Sequence, residues 1–487
     1  KNAFQVKMLP SDADPMDVRY NVIQWVHRAT RGWSYGASVI DPRTGEIIKG
    51  HVTLGSLRVR QDYLIALGLT SPFNSADADT RAMKEMALAR IRQLSAHEVG
   101  HTLGIAHNFA ASVNDRASVM DYPHPLITID NDKVNLANAY AEDIGEWDKY
   151  VIAYGYGDVA AAKEKQYLAN LVQSTQKRGL AYVSDPDARP SSGAHATGHL
   201  WDNGQDATAE LTRVLKVRKL ALDNFGLDTI PVGTPMSELE QVLVPIYNFH
   251  RFQVQATAKL IAGVDYGYQL RSEAFNNQQK MVSGPSQHAA LKALMKTLSV
   301  ETLTLPTRIT ALIPPKAYGY SRNRESFTSN TGLTFDPISA AEASAKHTLS
   351  LLLNTNRLAR LQQQTMLDTD IPSVAFVLDK LLNGTIKSAP KSATAILVQQ
   401  RVNQQLVEHL IGLWHNQSTV PEVRAEVFVT LSDLAKWLTD KRSTRKYKGS
   451  RAHFQLLAQQ ITYSLAHDKS STPASKISLP PGSPIGN

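Results

Sequence analysis

The chain has 487 residues, 52 lysines and arginines against 44 aspartates and glutamates (formal charge +8), and no cysteine. That length allows about three domains with ample core, while the absence of thiols excludes disulfide scaffolds and thiolate metal sites. No apolar run approaches the length needed to span a bilayer. Much of the basic excess lies in KRSTRKYKGSR, Lys441–Arg451, where no nucleic-acid motif accompanies it; the run reads as a solvated connection between helices.

Taken in chain order, Ala3–Leu9 and Asp17–Val26 read as strands, and the turn Arg43-Thr44-Gly45 joins Ser38–Ile40 to Ile47–Leu54 as a hairpin. Ala87, Leu88, Ile91, Leu94 and Ser95 then recur at three and four, the apolar side of a helix.

That helix leads into HEVGHTLGIAH, His97–His107. His97 and His101 stand at i and i+4, so their imidazoles leave one face a turn apart and can share a cation. Glu98 lies beside that face, within reach of a water in an open coordination position. Gly104 permits a sharp break, after which the chain can turn back to present His107 as a third nitrogen ligand. Three protein ligands leave a fourth position open, which separates a catalytic zinc from a structural one.

SVMDYP, Ser118–Pro123, follows. With this turn the chain resembles the metzincins, whose long zinc motif is followed by a methionine-containing turn. The resemblance implies that Met120 forms a hydrophobic base under the ligands. Tyr122 matches a position where astacin-like and serralysin-like members carry a tyrosine near the zinc. Its implied role is to ligate the resting metal or donate to a tetrahedral oxyanion, the alternative being simple packing in the turn. Asn108 stands where the well-known subfamilies carry Glu, Asp, Ser, Thr or Pro. Together with Val18–Arg28, Asp41–Gly50 and Trp201–Asp206, this makes the chain similar instead to a large, little-characterised family of bacterial zinc-dependent metzincins. Those are secreted or periplasmic proteins with a long helical region after the catalytic domain, which implies an extracytoplasmic location here. By the same resemblance Ala3–Leu9 is the family's second strand, and its first strand and helix are absent. The chain is then expected to be a carboxy-terminal fragment of a precursor, with the missing amino-terminal portion as a partner. A protein or peptide substrate would lie extended along the edge strand near Ala37–Ile40.

Ile144, Trp147, Tyr150, Val151 and Tyr154 in Ala141–Gly157 are spaced as the inward stripe of a helix, stopped by Gly155 and Gly157. Residues 165–205 are polar. Asp185, Asp187, Asp202 and Asp206 are candidate Ca2+ ligands, against ordinary turns and caps; His195 and His199 lack a third ligand and are not assigned a second zinc. Beyond residue 206 the pattern is helical, with Phe252, Ala256 and Leu260 on one face of Tyr247–Gly263, His250 as a satisfied core histidine, and Ser286 as the N-cap of Ser286–Leu298. After a loop at Pro314–Arg324 come a stripe of Val402, Leu406, Leu410 and Leu413, a capping box of Thr419 with Glu422, and a stripe of Val423, Val427, Leu431 and Leu434.

The expected fold class is α+β: a metzincin-type zinc protease domain over 1–160 with a mixed sheet and an active-site helix. A polar connection and first helical group follow over 161–330, a second helical group over 331–468, and a disordered tail over 469–487. The expected function is a zinc-dependent endopeptidase with Zn2+ on His97, His101 and His107, Glu98 and Tyr122 as catalytic groups, and Gly104 and Met120 shaping the site. Its rivals are a proteolytically silent zinc-binding scaffold and a zinc hydrolase of a non-protein amide such as a cell-wall peptide. Nucleic acid is not an expected partner.

Overall fold

The computed structural model describes residues 5–27, 33–73, 79–268, 271, 279–467 and 476–481. Its first layer is a sheet of β1 (Val22–Val26), β2 (Tyr35–Ile40) and β3 (Ile47–Gly55), ordered β1-β3-β2. β1 runs parallel to β3 and β2 antiparallel to it. The β2–β3 hairpin follows from its turn: the Asp41 carbonyl accepts the N–H groups of Thr44 and Gly45, and its carboxylate accepts that of Arg43 at 2.9 Å. β2 begins three residues earlier than the expected Ser38. Only Val22–Val26 of the expected Asp17–Val26 strand pairs.

The expected strand at Ala3–Leu9 is corrected. Ala3 and Phe4 lie outside the described residues, and Gln5–Leu9 join no strand, with Val6 84% and Met8 93% exposed. Alternating apolar residues make a strand only where a neighbour takes up the backbone groups, and among the described residues none pairs with this segment.

Helices α1 (Ser56–Thr70) and α2 (Arg81–Thr102) follow the sheet. Leu94 of α2, flanked by Ile91 and Val99, packs on Val52 and Leu54 of β3. A small hairpin, β4 (Thr128–Asp130) and β5 (Lys133–Asn135), precedes α3 (Glu146–Tyr156), α4 (Ala161–Lys177) and the single turn α5 (Asp185–Ala188). Next come α6 (Ala207–Asn224), α7 (Leu239–Tyr247), α8 (Arg251–Lys259), the short pair β6 (Val264–Asp265) and β7 (Lys280–Met281), and α9 (Gly284–Thr297). The one-turn helices α10 (Val300–Leu303) and α11 (Thr307–Thr310) lead to α12 (Pro337–Leu352), α13 (Thr355–Leu367), α14 (Val374–Gly384), α15 (Ala393–His415), α16 (Pro421–Lys441) and α17 (Arg451–Ala466).

One apolar core joins Ile65 and Leu69 of α1 and Met83 and Met86 of α2 to Val214 and Val217 of α6 and Leu239 and Leu243 of α7. α2 is thus held from behind by α6 and α7. A second core gathers Leu294, Leu349, Leu378, Leu406, Leu431 and Leu457 from α9 through α17. The stripes on α15 and α16 are buried as the spacing predicts.

Several helical details differ from expectation. Tyr247–Gly263 is broken between α7 and α8, and Phe252 is only half-buried. Ser283, not Ser286, caps α9, accepting the Ser286 N–H. Thr419 makes no cap: α16 starts with Pro421 at its first position, whose fixed φ suits a helix start without a side-chain cap. His250 is buried, but its Nδ1 finds no partner among the described residues. The basic run joins α16 to α17, with Tyr447 buried inside it. Part of the expected disordered tail is docked: Ile477 is buried, its carbonyl accepts from Lys346, and that of Pro480 accepts from Arg251 at 2.7 Å. The remainder of that tail, apart from residues 476–481, lies outside the described residues.

Candidate metal centre

α2 ends at Thr102, and the chain leaves it through Gly104 at φ +80°, a conformation that a side chain would strain. The N–H of Gly104 returns to the His101 carbonyl and that of Ile105 to the Gly100 carbonyl, which satisfies the helix end and swings His107 back over it. His97, His101 and His107 each offer a ring nitrogen within 4.8 Å of the others, the one such group among the described residues.

Each imidazole is tied down through Nδ1. His97 Nδ1 donates to the Val119 carbonyl at 2.6 Å, His101 Nδ1 to the Ile105 carbonyl at 2.9 Å, and His107 Nδ1 to the Asp185 carboxylate at 3.0 and 3.1 Å. The protons therefore sit on Nδ1, and each Nε2 presents a lone pair. Those lone pairs converge: His101 Nε2 lies 3.1 Å from that of His97 and 3.2 Å from that of His107. Burial, then the neighbouring imidazoles, lowers the proton affinity of His97 and His101, so a proton is a poor filler. Zn–N bonds of about 2.0–2.1 Å at tetrahedral angles put ligand nitrogens roughly 3.3 Å apart. The residues fit zinc.

The turn beneath the ligands is pinned from two sides. Met120 is fully buried under α2, and the Asn108 backbone N–H donates to its carbonyl. Asp148 of α3 accepts from Ser118 Oγ at 2.6 Å, Val119 N–H at 2.8 Å and Gly145 N–H at 2.7 Å. The same Val119 orients His97, so α3 reaches the first ligand through this turn. Asn108 is explained as well. Its amide donates to the Ala181 carbonyl at 2.9 Å and accepts from the N–H groups of Val183 and Ala110, a two-way bond that an ionised carboxylate cannot make and that a hydroxyl would have to make through a single atom.

Glu98 is buried beside the ligands, and burial pushes its carboxyl up to about 7 against the opposing charge of Arg90 and a backbone hydrogen bond from Gly36 of β2. Tyr122 is half-buried with its ring centroid 5.4 Å from that of His97 and 4.8 Å from that of His107, and it stacks on Trp201 at 4.6 Å. Its hydroxyl accepts from Arg189 at 3.1 Å; burial raises the phenol, and that bond opposes the rise. Asp185, Arg189 and Asp148 carry no motif of their own. The only local hint is the opposite-charge pair at i and i+4, Asp185 and Arg189.

The expected inward stripe on α3 is corrected: Ile144 is 43% and Tyr154 48% exposed. Trp147, Tyr150, Val151 and Tyr154 instead line a shallow hollow of about 220 Å³ with Gly104, Ile105, Ala106 and Tyr182. Periodicity reports an apolar face and not what faces it. The four candidate calcium carboxylates do not converge. Asp185 serves His107 and Arg189, Asp187 accepts from Tyr266 and Tyr268, Asp202 accepts from Ser112 at 2.9 Å, and Asp206 caps α6. His195 and His199 bond separate carbonyls, those of Tyr266 and Ala196.

No curated protein and no solved structure matches the chain. A protein-family model described as Met-zincin matches residues 79–393, which takes in the zinc motif, the turn and much of the helical region. That match and the three-histidine group together point to a zinc metallopeptidase. The chain belongs to the Met-zincin family.

Proposed function

We propose that the chain is a zinc-dependent endopeptidase acting on proteins or peptides. The observation that carries this reading is the convergence of three Nε2 lone pairs at 3.1 and 3.2 Å with the Glu98 carboxyl alongside. When bound, zinc supplies Lewis acidity that makes water deprotonable near neutral pH and polarises a carbonyl. Glu98, raised toward neutrality, takes the proton of the attacking water and returns it to the leaving amine. Tyr122 donates its hydroxyl hydrogen to the developing oxyanion. β2 is an edge strand whose Gly36 N–H bonds Glu98, so a peptide paired with its free edge would run past the general base.

The test is cleavage of an unfolded protein by the zinc-loaded chain, with Glu98→Ala as the paired control and zinc content recorded for both. Cleavage by wild type and its loss in Glu98→Ala at unchanged zinc content supports the proposal. A zinc-loaded wild type that cleaves nothing would favour a scaffold. Turnover confined to cell-wall peptides would favour an amide hydrolase of that class.

A further inference from the structure

Asp185 and Arg189 stand four residues apart at the two ends of α5, and their side chains are ion-paired. We propose that they form one positioning unit for the metal centre. Asp185 fixes the third histidine ligand, and Arg189 leaves the Tyr122 hydroxyl hydrogen free to be donated into the site.

The first half follows from donor and acceptor inventories. An ionised carboxylate only accepts, so the bonds of 3.0 and 3.1 Å from His107 require a proton on Nδ1, and in the neutral ring this leaves the lone pair on Nε2. His97 and His101 are held by neutral carbonyls, those of Val119 and Ile105. His107, on the loop beyond the helix, alone has a charged partner, which arrives from 78 residues downstream. A carboxylate behind a ligand imidazole locks its ring and raises its basicity.

The second half rests on Arg189. A guanidinium can only donate, so in its 3.1 Å bond to Tyr122 the phenol oxygen is the acceptor. The phenol hydrogen is then free for another partner. The guanidinium also lies 5.3 Å from the Tyr122 ring centroid and 5.4 Å from that of Phe109, which fixes the tyrosine from its face as well as its tip. The segment carrying the pair is itself anchored, because Tyr266 and Tyr268 donate to Asp187 and Asn108 holds Ala181 and Val183.

The Asp185 half is read by zinc affinity in a chelator competition, with thermal unfolding of the metal-free proteins alongside. Asp185→Ala should bind zinc about 10- to 100-fold more weakly, with Asp185→Asn between it and wild type and metal-free unfolding little changed. In the cobalt-substituted protein, Asp185→Ala should lose the exchangeable imidazole N–H signal of His107 and keep those of His97 and His101. Zinc affinity of both variants within twofold of wild type would overturn this half, and the milder Asp185→Asn decides should Asp185→Ala fail to fold.

The Arg189 half rests on the peptidase reading of Tyr122, and its readout needs no turnover. Wild type, Arg189→Met, Tyr122→Phe and the double variant are titrated with a phosphinic tripeptide, whose tetrahedral oxygens stand in for the oxyanion. Each single change should weaken binding about 10-fold, and the double change no further than Tyr122→Phe alone, because Arg189 acts through that hydroxyl. Multiplicative losses, or no binding by zinc-loaded wild type, overturn it. Tight binding with the expected pattern but no protein cleavage would instead count against the peptidase reading alone.

Discussion

A Cβ on Gly100 would lie 2.4 Å from the sulfur of Met120. The glycine between the first two ligands is therefore the space that the turn's methionine fills. Gly100→Ala should force Met120 aside in a closely packed site, at a cost of about 1–3 kcal/mol in denaturant unfolding. Zinc affinity should fall with it, because moving Met120 also moves Val119, the acceptor of His97. Unchanged values of both would show that the sulfur has room to yield.

Asp148 gathers three donors, Ser118 Oγ and the N–H groups of Val119 and Gly145. Asp148→Ala leaves one buried and one half-buried backbone donor unmatched and should destabilise the protein by roughly 2–4 kcal/mol. Weaker zinc binding should accompany the loss, which separates this residue from an ordinary helix cap.

Zinc should raise the unfolding temperature, since the three nitrogens are assembled only in the folded chain. A chelator should remove that increment from the wild type. In His101→Ala, whose nitrogen sits between the other two, zinc and chelator should both have little effect. An equal zinc-dependent rise in the variant would place the metal elsewhere.

Burial pushes Asp202 up to about 7 despite the bond from Ser112, and Asp121, buried nearby, is raised in turn by its own burial and by Asp202. An unfolded aspartate titrates near 3.9. Between roughly pH 4 and 7 the folded chain thus keeps a proton that the unfolded chain releases, so this group makes stability fall as pH rises, by up to about 1.4 kcal/mol per pH unit. Asp202→Asn should flatten that decline in urea unfolding series from pH 5 to 8. An unaltered slope would sink the assignment.

The convergence of His97, His101 and His107 was legible because they lie within one short stretch whose geometry a helix and one glycine decide. The β2–β3 hairpin was legible for the same reason, its turn being organised within Asp41–Glu46. What escaped was the support that Asp148, Asp185 and Arg189 bring from further along the chain. Asp185 and Arg189 meet His107 and Tyr122 only after the chain has passed through α3 and α4, and a pair of opposite charges four apart is common on any surface. The α3 stripe misled in a different way, since Trp147 and Tyr150 have the spacing of core residues and line an open hollow. Gln5–Leu9 show the limit of alternation, which specifies a strand only with a neighbour to pair.

The stitching of Asn108 to Ala181 and Val183, and of His107 to Asp185, has a bearing on how the protein can be dissected. A piece ending after α3 would contain all three histidines and Glu98, yet would leave the third imidazole and the amide next to it without their partners. Its zinc would be held by an unbraced loop. A protease nick between α4 and α5 should therefore announce itself as metal release before any helix unwinds, which makes zinc retention a gauge of the integrity of a stretch that binds no metal itself.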